Sequence, residues 1–427
     1  MTFVPRINGT LSHHHECSDS IAIKVCAVTV VLLRNYLSFD FLRICAWYNQ
    51  RDFMFSPICI ARMHKIISFV IAVVALGTLA PEARSQAVHA VSDQENVKDV
   101  SSGLYFPEIN ARWEKVDPEK AGWDGRQLDD LLDWSGDWGS TSVLVLWNGR
   151  VLAEKHWGKR EGQTSQRYQR MFIRLNEQQQ AIEDVASVQK SIVSILVGIG
   201  LQKNLLQLDD PVTKHLGSGW SKAKPLQEKK ILVKHLLSMT SGLNGDLHYE
   251  ATPGTRWYYN TAAYAVVRDC LVATSGLTVH QLTREWLMDP IGMKESKWVP
   301  RAASITALNA YGFASSARDL ARVGLLMQAG GKWAGKPVLS NDEFRLASLK
   351  SSQMLKPEYG YLWWLNETKR NRFAPADTYA ANGALGRRVF VSASEGLVVV
   401  RLGDEPGEIG TAGFDREFWR RLMAAKL

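Results

Sequence analysis

Ser187-Val188-Gln189-Lys190 stands at the mouth of an apolar run from Ile192 to Leu201. Residues three apart on a helix share a face, so the Lys190 amine can reach the Ser187 hydroxyl. A serine hydroxyl is a weak nucleophile at neutral pH and needs a neighbour to take its proton. Lysine can do so only when burial against apolar surroundings lowers its pKa. Ser-x-x-Lys at the start of a buried helix therefore supplies a nucleophile and its base. Serine and lysine are common, and Ser221-Lys222-Ala223-Lys224 repeats the spacing in a polar, basic stretch that reads as a solvated loop. The pair needs support from elsewhere in the chain.

Two other segments could provide it. Pro253-Gly254-Thr255-Arg256-Trp257-Tyr258-Tyr259-Asn260-Thr261 carries phenols. A phenol beside a lysinium has a lowered pKa and can shuttle protons between nucleophile and leaving group. The plainer reading is a turn leading to aromatic core residues at a helix start. Ala381-Asn382-Gly383-Ala384-Leu385-Gly386 has two glycines that let the backbone approach a ligand, and an amide there could stabilise an oxyanion. An ordinary turn is the alternative. The sequence contains no Gly-x-Ser-x-Gly, His-Glu-x-x-His, Cys-x-x-Cys or phosphate-binding glycine loop. A Ser-His-Asp triad needs no fixed spacing, but no histidine after residue 87 sits in a recognisable motif.

Positioning these groups is the task of the surrounding elements. Leu128, Leu131, Leu132 and Trp134 mark a helix ending at Gly136. Ser142–Trp147 and Arg150–Trp157 read as strands joined through Asn148-Gly149, a strong hairpin signal. Near the other end, Arg388–Ser392 and Leu397–Leu402 read as strands, followed by an amphipathic helix from about Phe414 to Leu427. Between them, Ser191–Leu201, Val233–Met239, Ala262–Thr274, His280–Leu287 and Ala317–Gln328 have helical periodicity. The pattern predicts an α+β fold: an antiparallel sheet built from both termini and flanked by helices, with an inserted, mainly helical region. The sheet part is expected over about 108–200 and 336–427, and the helical part over about 201–335. No internal repeat is present.

With 46% hydrophobic and 22% charged residues among 427, the chain can bury a large core. Four of its five cysteines precede Met63. Met63 opens a pattern typical of export, with His64-Lys65, the apolar run Ile66–Leu76 and the small-x-small site Ser85-Gln86-Ala87. Residues 1–62 are accordingly expected to be an upstream extension outside the working protein, and 63–87 a cleaved signal peptide. An N-terminal segment (88–107) then precedes one catalytic domain (108–427). The apolar run is about half the length of a spanning helix, and no cysteine follows the cleavage site to carry a lipid. An exported protein, periplasmic or secreted and with no stable membrane anchor, is expected. Cys270 alone follows the signal, so it can form no internal disulfide or Cys-based metal site, and its apolar helical setting suits a core residue. The basic surplus is scattered, which argues against a nucleic-acid partner.

Taken in order, these segments resemble the serine β-lactamase-like hydrolases: class C β-lactamases, D-Ala-D-Ala peptidases, related esterases and aminohexanoate-oligomer hydrolases, the last most of all. The resemblance runs from about Phe106 to Leu427. It rests on Ser187–Ser191, His235–Leu243, Pro253–Tyr264, Pro290–Met293, Ser316–Arg322 and Gly360–Trp364. It implies that Ser187 is the nucleophile and Lys190 its base. Counting from Pro253 makes Tyr259 the catalytic tyrosine, with Thr261 in the family's asparagine position; a literal Tyr-x-Asn match gives Tyr258 and Asn260 instead. The backbone N–H groups of Ser187 and Ala384 would form the oxyanion hole. The family's Lys-Thr-Gly strand corresponds to Ala381-Asn382-Gly383, which lacks the lysine and threonine that help hold a substrate carboxylate. Asn382, Gly383, Arg387 and Thr261 are the substrate-binding candidates, with Arg388 an alternative cation. The expected activity is cleavage of a small-molecule amide or ester through an acyl-enzyme on Ser187, with no metal or organic cofactor. A D-Ala-D-Ala peptidase or β-lactamase is the alternative, and an inactive binding module the second. Oligomeric state is not implied.

Overall fold

The computed structural model describes residues 103–427 except Asn110, Gln163 and residues 302–309. The expected upstream extension, the signal peptide and residues 88–102 lie outside the described residues.

The strands β1 (Ser140–Trp147), β2 (Arg150–His156), β9 (Trp364–Leu365), β10 (Tyr379–Asn382), β11 (Arg388–Ser392) and β12 (Leu397–Gly403) form the main antiparallel sheet in the order β2-β1-β12-β11-β10-β9. A separate two-stranded ribbon is made by β7 (Lys332–Trp333) and β8 (Lys336–Pro337). The hairpin between β1 and β2 turns on Asn148 and Gly149, whose φ values are 47° and 81°. Positive φ at both central residues is what a tight hairpin with the strands' natural twist requires, and asparagine and glycine tolerate it best. β1 then pairs along its length with β12, placing Val145 opposite Val399. Strands from opposite ends of the chain are therefore neighbours in the sheet, as the sequence pattern predicts.

Alternate residues of these strands feed two cores, because successive side chains point to opposite faces. Val143, Val145, Leu397 and Val399 pack with the Gly125–Asp137 and Gly410–Ala424 helices. Leu144, Leu146, Val398 and Val400 face the larger core around the Val188–Gln202 helix. That helix is buried from Val188 to Leu201, as befits a segment apolar on every side.

The inserted region is less purely helical than its periodicity suggests, because it supplies two strands to a second sheet whose other two lie before it, at 172–184. A second antiparallel sheet runs β3-β4-β6-β5, from β3 (Phe172–Leu175), β4 (Ala181–Asp184), β5 (Lys297–Pro300) and β6 (Tyr311–Ser315). Strands of four or five residues, one ending in proline and one holding a glycine, are too short to show a period of two. Cys270 is a buried free thiol within the Thr261–Ser275 helix. Among the described residues no single helix is long and apolar enough to cross a membrane.

Candidate active site

Ser187 stands at a sharp junction between β4 and the Val188–Gln202 helix. Ala186, just before it, has φ 52°, in the left-handed region that side chains with a Cβ resist. Asp184 holds the turn by accepting the Ala186 N–H at 2.9 Å. Arg301 in turn grips Asp184 with Nε–Oδ2 and Nη2–Oδ1 distances of 2.8 and 2.9 Å. Farther along the helix, the Ser191 and Ser194 hydroxyls donate to the Leu362 and Tyr361 carbonyls, both at 2.7 Å. The helix start is thus fixed on two sides.

Lys190 Nζ lies 3.0 Å from Ser187 Oγ. Its amine sits over the Tyr259 and Tyr264 rings, 4.8 and 4.5 Å from their centroids. Burial lowers its pKa to about 7, and the nearby Arg301 cation pushes in the same direction. A large fraction of the amine is therefore unprotonated near neutrality and able to accept the serine proton.

Of the adjacent tyrosines, Tyr259 faces this pair. Tyr258 is 41% exposed, with Arg256 against its ring. The turn that orders them is pinned by the preceding motif, since Gly254 N–H donates to the Thr240 carbonyl and Tyr258 N–H to that of Met239. Asn260 caps the Thr261–Ser275 helix through the Ala263 N–H, and its amide donates to the Leu243 and Asn244 carbonyls. It is a buried structural group, so the literal Tyr258/Asn260 reading does not describe the site. Thr261 is the half-buried first residue of that helix.

One expectation about Tyr259 is corrected. Its pKa is not lowered; burial raises it to about 12, although a hydrogen bond to Ser187 and the Arg388 charge oppose the shift. Because Lys190 is itself desolvated toward neutrality, it offers no firm cation to stabilise a phenolate. At neutral pH Tyr259 is a phenol that donates.

Opposite this group runs the end of β10. A Cβ on Gly383 would come 2.4 Å from the Val185 carbonyl, so only glycine lets the strand lie this close to the Ser187 turn. Ala384 follows in a turn in which Leu385 takes φ 62°. Among the described residues the amides of Ser187 and Ala384 donate to no backbone or side-chain acceptor. Arg388 Nη1 donates to the Gly383 and Arg387 carbonyls at 2.7 and 2.9 Å, and its Nε pairs with Asp415 at 2.9 Å.

Arg387 is not a wall of the site. Its side chain is wholly buried, with Nη2 2.7 Å from Glu183 Oε2 in an ion pair that lacks hydrogen-bond alignment. Arg387 closes the turn after Ala384, just before β11, and from there its guanidinium reaches the buried Glu183 carboxylate of β4.

Sequence reasoning missed the aromatic wall made by Trp257, Tyr259, Tyr359 and Trp364, where Trp364 stacks on Tyr259 at 6.0 Å. The Gly360–Trp364 motif was a signal for part of it. Arg301, at the end of β5, has no local signal at all. Among the described residues no cluster of three metal-ligating side chains occurs.

A nucleophile-and-lysine pair at a helix start, between an antiparallel sheet and a helical region, defines a serine hydrolase of the β-lactamase type. The chain belongs to the Beta-lactamase family, whose profile matches residues 126–422. Members of this family are serine hydrolases acting on amide or ester bonds. An uncharacterised protein of Alkalihalophilus pseudofirmus is 25% identical over 309 residues, covering 65% of this chain and 86% of its own. Among solved structures, a candidate β-lactamase from Bacteroides dorei superposes with a TM-score of 0.56 at 18% identity, over 71% of this chain and 99% of its own. A candidate 6-aminohexanoate-dimer hydrolase from Bacillus anthracis gives 0.55 at 16% identity, over 76% and 91%.

Proposed function

We propose that the protein is an exported hydrolase, periplasmic or secreted, that cleaves a small-molecule amide or ester through an acyl-enzyme on Ser187. The observation that carries this reading is the 3.0 Å approach of Ser187 Oγ to a lysine whose pKa lies near 7. Neutral Lys190 accepts the Ser187 proton as Oγ bonds to the substrate carbonyl carbon. The carbonyl oxygen becomes an oxyanion held by the Ser187 and Ala384 amides, each such donor contributing about 3 kcal/mol. As the tetrahedral adduct collapses, the bond to the leaving nitrogen or oxygen breaks. That atom takes the Tyr259 proton, which the Lys190 ammonium replaces. Water then attacks the ester carbonyl carbon and gives a proton to Lys190; the bond from that carbon to Ser187 Oγ breaks, Lys190 passes the proton to Oγ, and the carboxylic acid product leaves.

Linear amides such as aminohexanoate oligomers are within this class of substrate, supported by the sequence resemblance and by the Bacillus anthracis structure. The Ala381-Asn382-Gly383 strand argues against penicillin recognition, because the lysine and threonine that would help hold a β-lactam carboxylate are replaced. Export is supported by the pattern from Met63 to Ala87.

A fluorophosphonate probe tests the chemistry. It is expected to label the wild type and not Ser187→Ala, and equal labelling would remove Ser187 as nucleophile. Lack of labelling in both would favour a binding module. Turnover of nitrocefin at rates matching those on p-nitrophenyl esters would restore the β-lactamase alternative. N-terminal sequencing of the native protein tests export, which predicts a start near Val88.

A further inference from the structure

Three arginines converge on the turn that carries the Ala384 amide. The consecutive carbonyls of Gly383, Ala384 and Leu385 accept from Arg388 Nη1 at 2.7 Å, Arg387 Nη1 at 3.3 Å and Arg401 Nη1 at 2.6 Å. All three side chains are buried. Glu183 pairs with Arg387, and Asp415 with Arg388. Arg401, on β12, has no acid within ion-pair distance among the described residues, and its nitrogens end on neutral acceptors instead. Nε donates to the Ser140 hydroxyl at 3.0 Å, and Nη2 to the Trp138 and Asp404 carbonyls at 3.0 and 2.9 Å. The guanidinium carbon lies 4.6 Å from the centre of the Phe414 ring.

Placing a cation there costs stability. A buried charge without a counter-ion is expensive even when its donors are satisfied. Arg401 also stands directly opposite Arg388 in the β11–β12 ladder, and like charges facing each other in a sheet repel. The backbone nevertheless leaves room for it: Gly386 has φ 74°, and a Cβ there would come 2.6 Å from Arg401 Nη1. An apolar side chain would fill the same place without the charge, so the use of the guanidinium lies in what it holds. It holds the Leu385 carbonyl, and Leu385 takes φ 62°, in the left-handed region that a Cβ resists. Arg388 fixes the peptide plane before Ala384, and Arg401 fixes the plane after Leu385. Between these two clamps the Ala384 N–H has no acceptor among the described residues. Because Glu183 and Asp415 offset their own arginines, the charge left over beside the turn is that of Arg401.

We propose that Arg401 is a positioning residue of the Ser187 hydrolase: by holding the Leu385 carbonyl it locks the Ala384 amide as an oxyanion donor, and its charge favours the anion that forms there. The proposal rests on the hydrolase reading above and extends it to a residue that no local motif marks. Arg401 is 1% exposed and does not touch substrate; it acts through Leu385 and Ala384. Its contribution is greatest when negative charge develops on the carbonyl oxygen, so it shows in kcat rather than in KM.

The test reads the oxyanion itself, by comparing 4-nitrophenyl butyrate with the thiono ester in which sulfur replaces its carbonyl oxygen. Sulfur is larger and a poorer acceptor of amide hydrogens, so a preformed pair of donors favours the oxygen ester. Relative to hydroxide-catalysed hydrolysis of the same two esters, the wild type is expected to favour oxygen by about tenfold or more in kcat/KM. Arg401→Met should lower kcat on the oxygen ester by about tenfold, leave KM within about twofold and shrink the oxygen preference several-fold. Arg401→Lys, still cationic, should retain more of the preference, and a lysine variant no better than methionine would strike the charge from the proposal. Ser140→Ala removes only the Nε acceptor and should shift the preference the same way by a smaller factor; it decides the matter if Arg401→Met does not fold. A wild type without the preference would overturn the proposal. So would a folded Arg401→Met, or in its place Ser140→Ala, with the preference intact, the mark of a merely structural role. Ser187→Ala checks the hydrolase reading separately: hydrolysis that persists there removes Ser187 as nucleophile, whatever Arg401 does.

Discussion

Arg388 Nη1 donates to the Gly383 carbonyl at 2.7 Å, and that carbonyl shares a planar peptide unit with the Ala384 N–H. Holding the oxygen on one side turns the hydrogen to the other. The guanidinium, itself anchored by Asp415, thereby orients the amide proposed as an oxyanion donor. Arg388→Met is expected to lower kcat by about tenfold or more with little change in KM, because the donor matters most when charge develops. Steady-state kinetics on a neutral p-nitrophenyl ester read this directly. A rise in KM with kcat intact would instead assign Arg388 to substrate binding.

The Lys190 pKa of about 7 sets the pH dependence. The base must be neutral, so kcat/KM is expected to be low in acid, rise through pH 7 and level off above it. In Arg301→Gln a cation that disfavours the ammonium is gone, and the midpoint should move to higher pH. A pH–rate profile with the same ester checks both. A flat profile between about pH 5 and pH 9 would exclude Lys190 as the base.

Burying that lysine also costs stability, with a sign that can be worked out. The folded state holds Lys190 near 7 while the unfolded chain titrates near 10.5, so the unfolded state binds more protons between these values. The penalty is therefore full below pH 7, fades as pH rises from about 7 towards 10.5, and is absent above that. Lys190→Met, similar in length and uncharged, is expected to be inactive yet to melt higher than wild type. Its advantage should be greater at about pH 6 than at about pH 10. Thermal melts at the two values test this; a lower melting temperature at both would contradict it.

Tyr259→Phe keeps the aromatic packing and removes only the hydroxyl. It is expected to reduce kcat by about 100-fold or more, the usual range for a general acid. Tyr258→Phe, at an exposed ring, should stay within about twofold of wild type. A reversal of the two effects would transfer the role to Tyr258.

The Arg387–Glu183 pair makes a different kind of claim. Both side chains are wholly buried, so losing one leaves an unpaired charge, at a cost of about 3–5 kcal/mol. Arg387→Met should therefore destabilise strongly, and adding Glu183→Leu should recover much of the loss. Denaturant melts of the single and double variants measure it. A fully stable Arg387→Met with altered substrate preference would place the arginine back in the binding site.

Much of this arrangement was legible because it is local. The Ser187–Lys190 spacing, the Asn148-Gly149 turn and the alternation of β1 and β12 are each written in a few adjacent residues. The two terminal strand pairs were readable, but β5 and β6 were too short to show a period. Arg387 was misplaced because it lies close in sequence to the Ala381–Gly386 segment, while burial against Glu183 is visible only in three dimensions. The Tyr259 acidity failed for a related reason: its shift depends on how fully Lys190 and the phenol are both buried. Arg301 and Trp364 act on the site from distant segments, and spacing carries no record of that.

The pairing of β1 with β12 bears on how the molecule comes into being. Val145 finds Val399 across more than half the chain, and the Leu427 N–H closes on the Gly122 carbonyl at 2.9 Å. Contacts so distant in sequence demand a large loop closure before they return any stability. During synthesis, the β1–β2 hairpin must wait with one edge unpaired while some 240 further residues are made. Folding of the catalytic body is thus a late event, and Ser187 becomes competent only after the C-terminal strands have arrived.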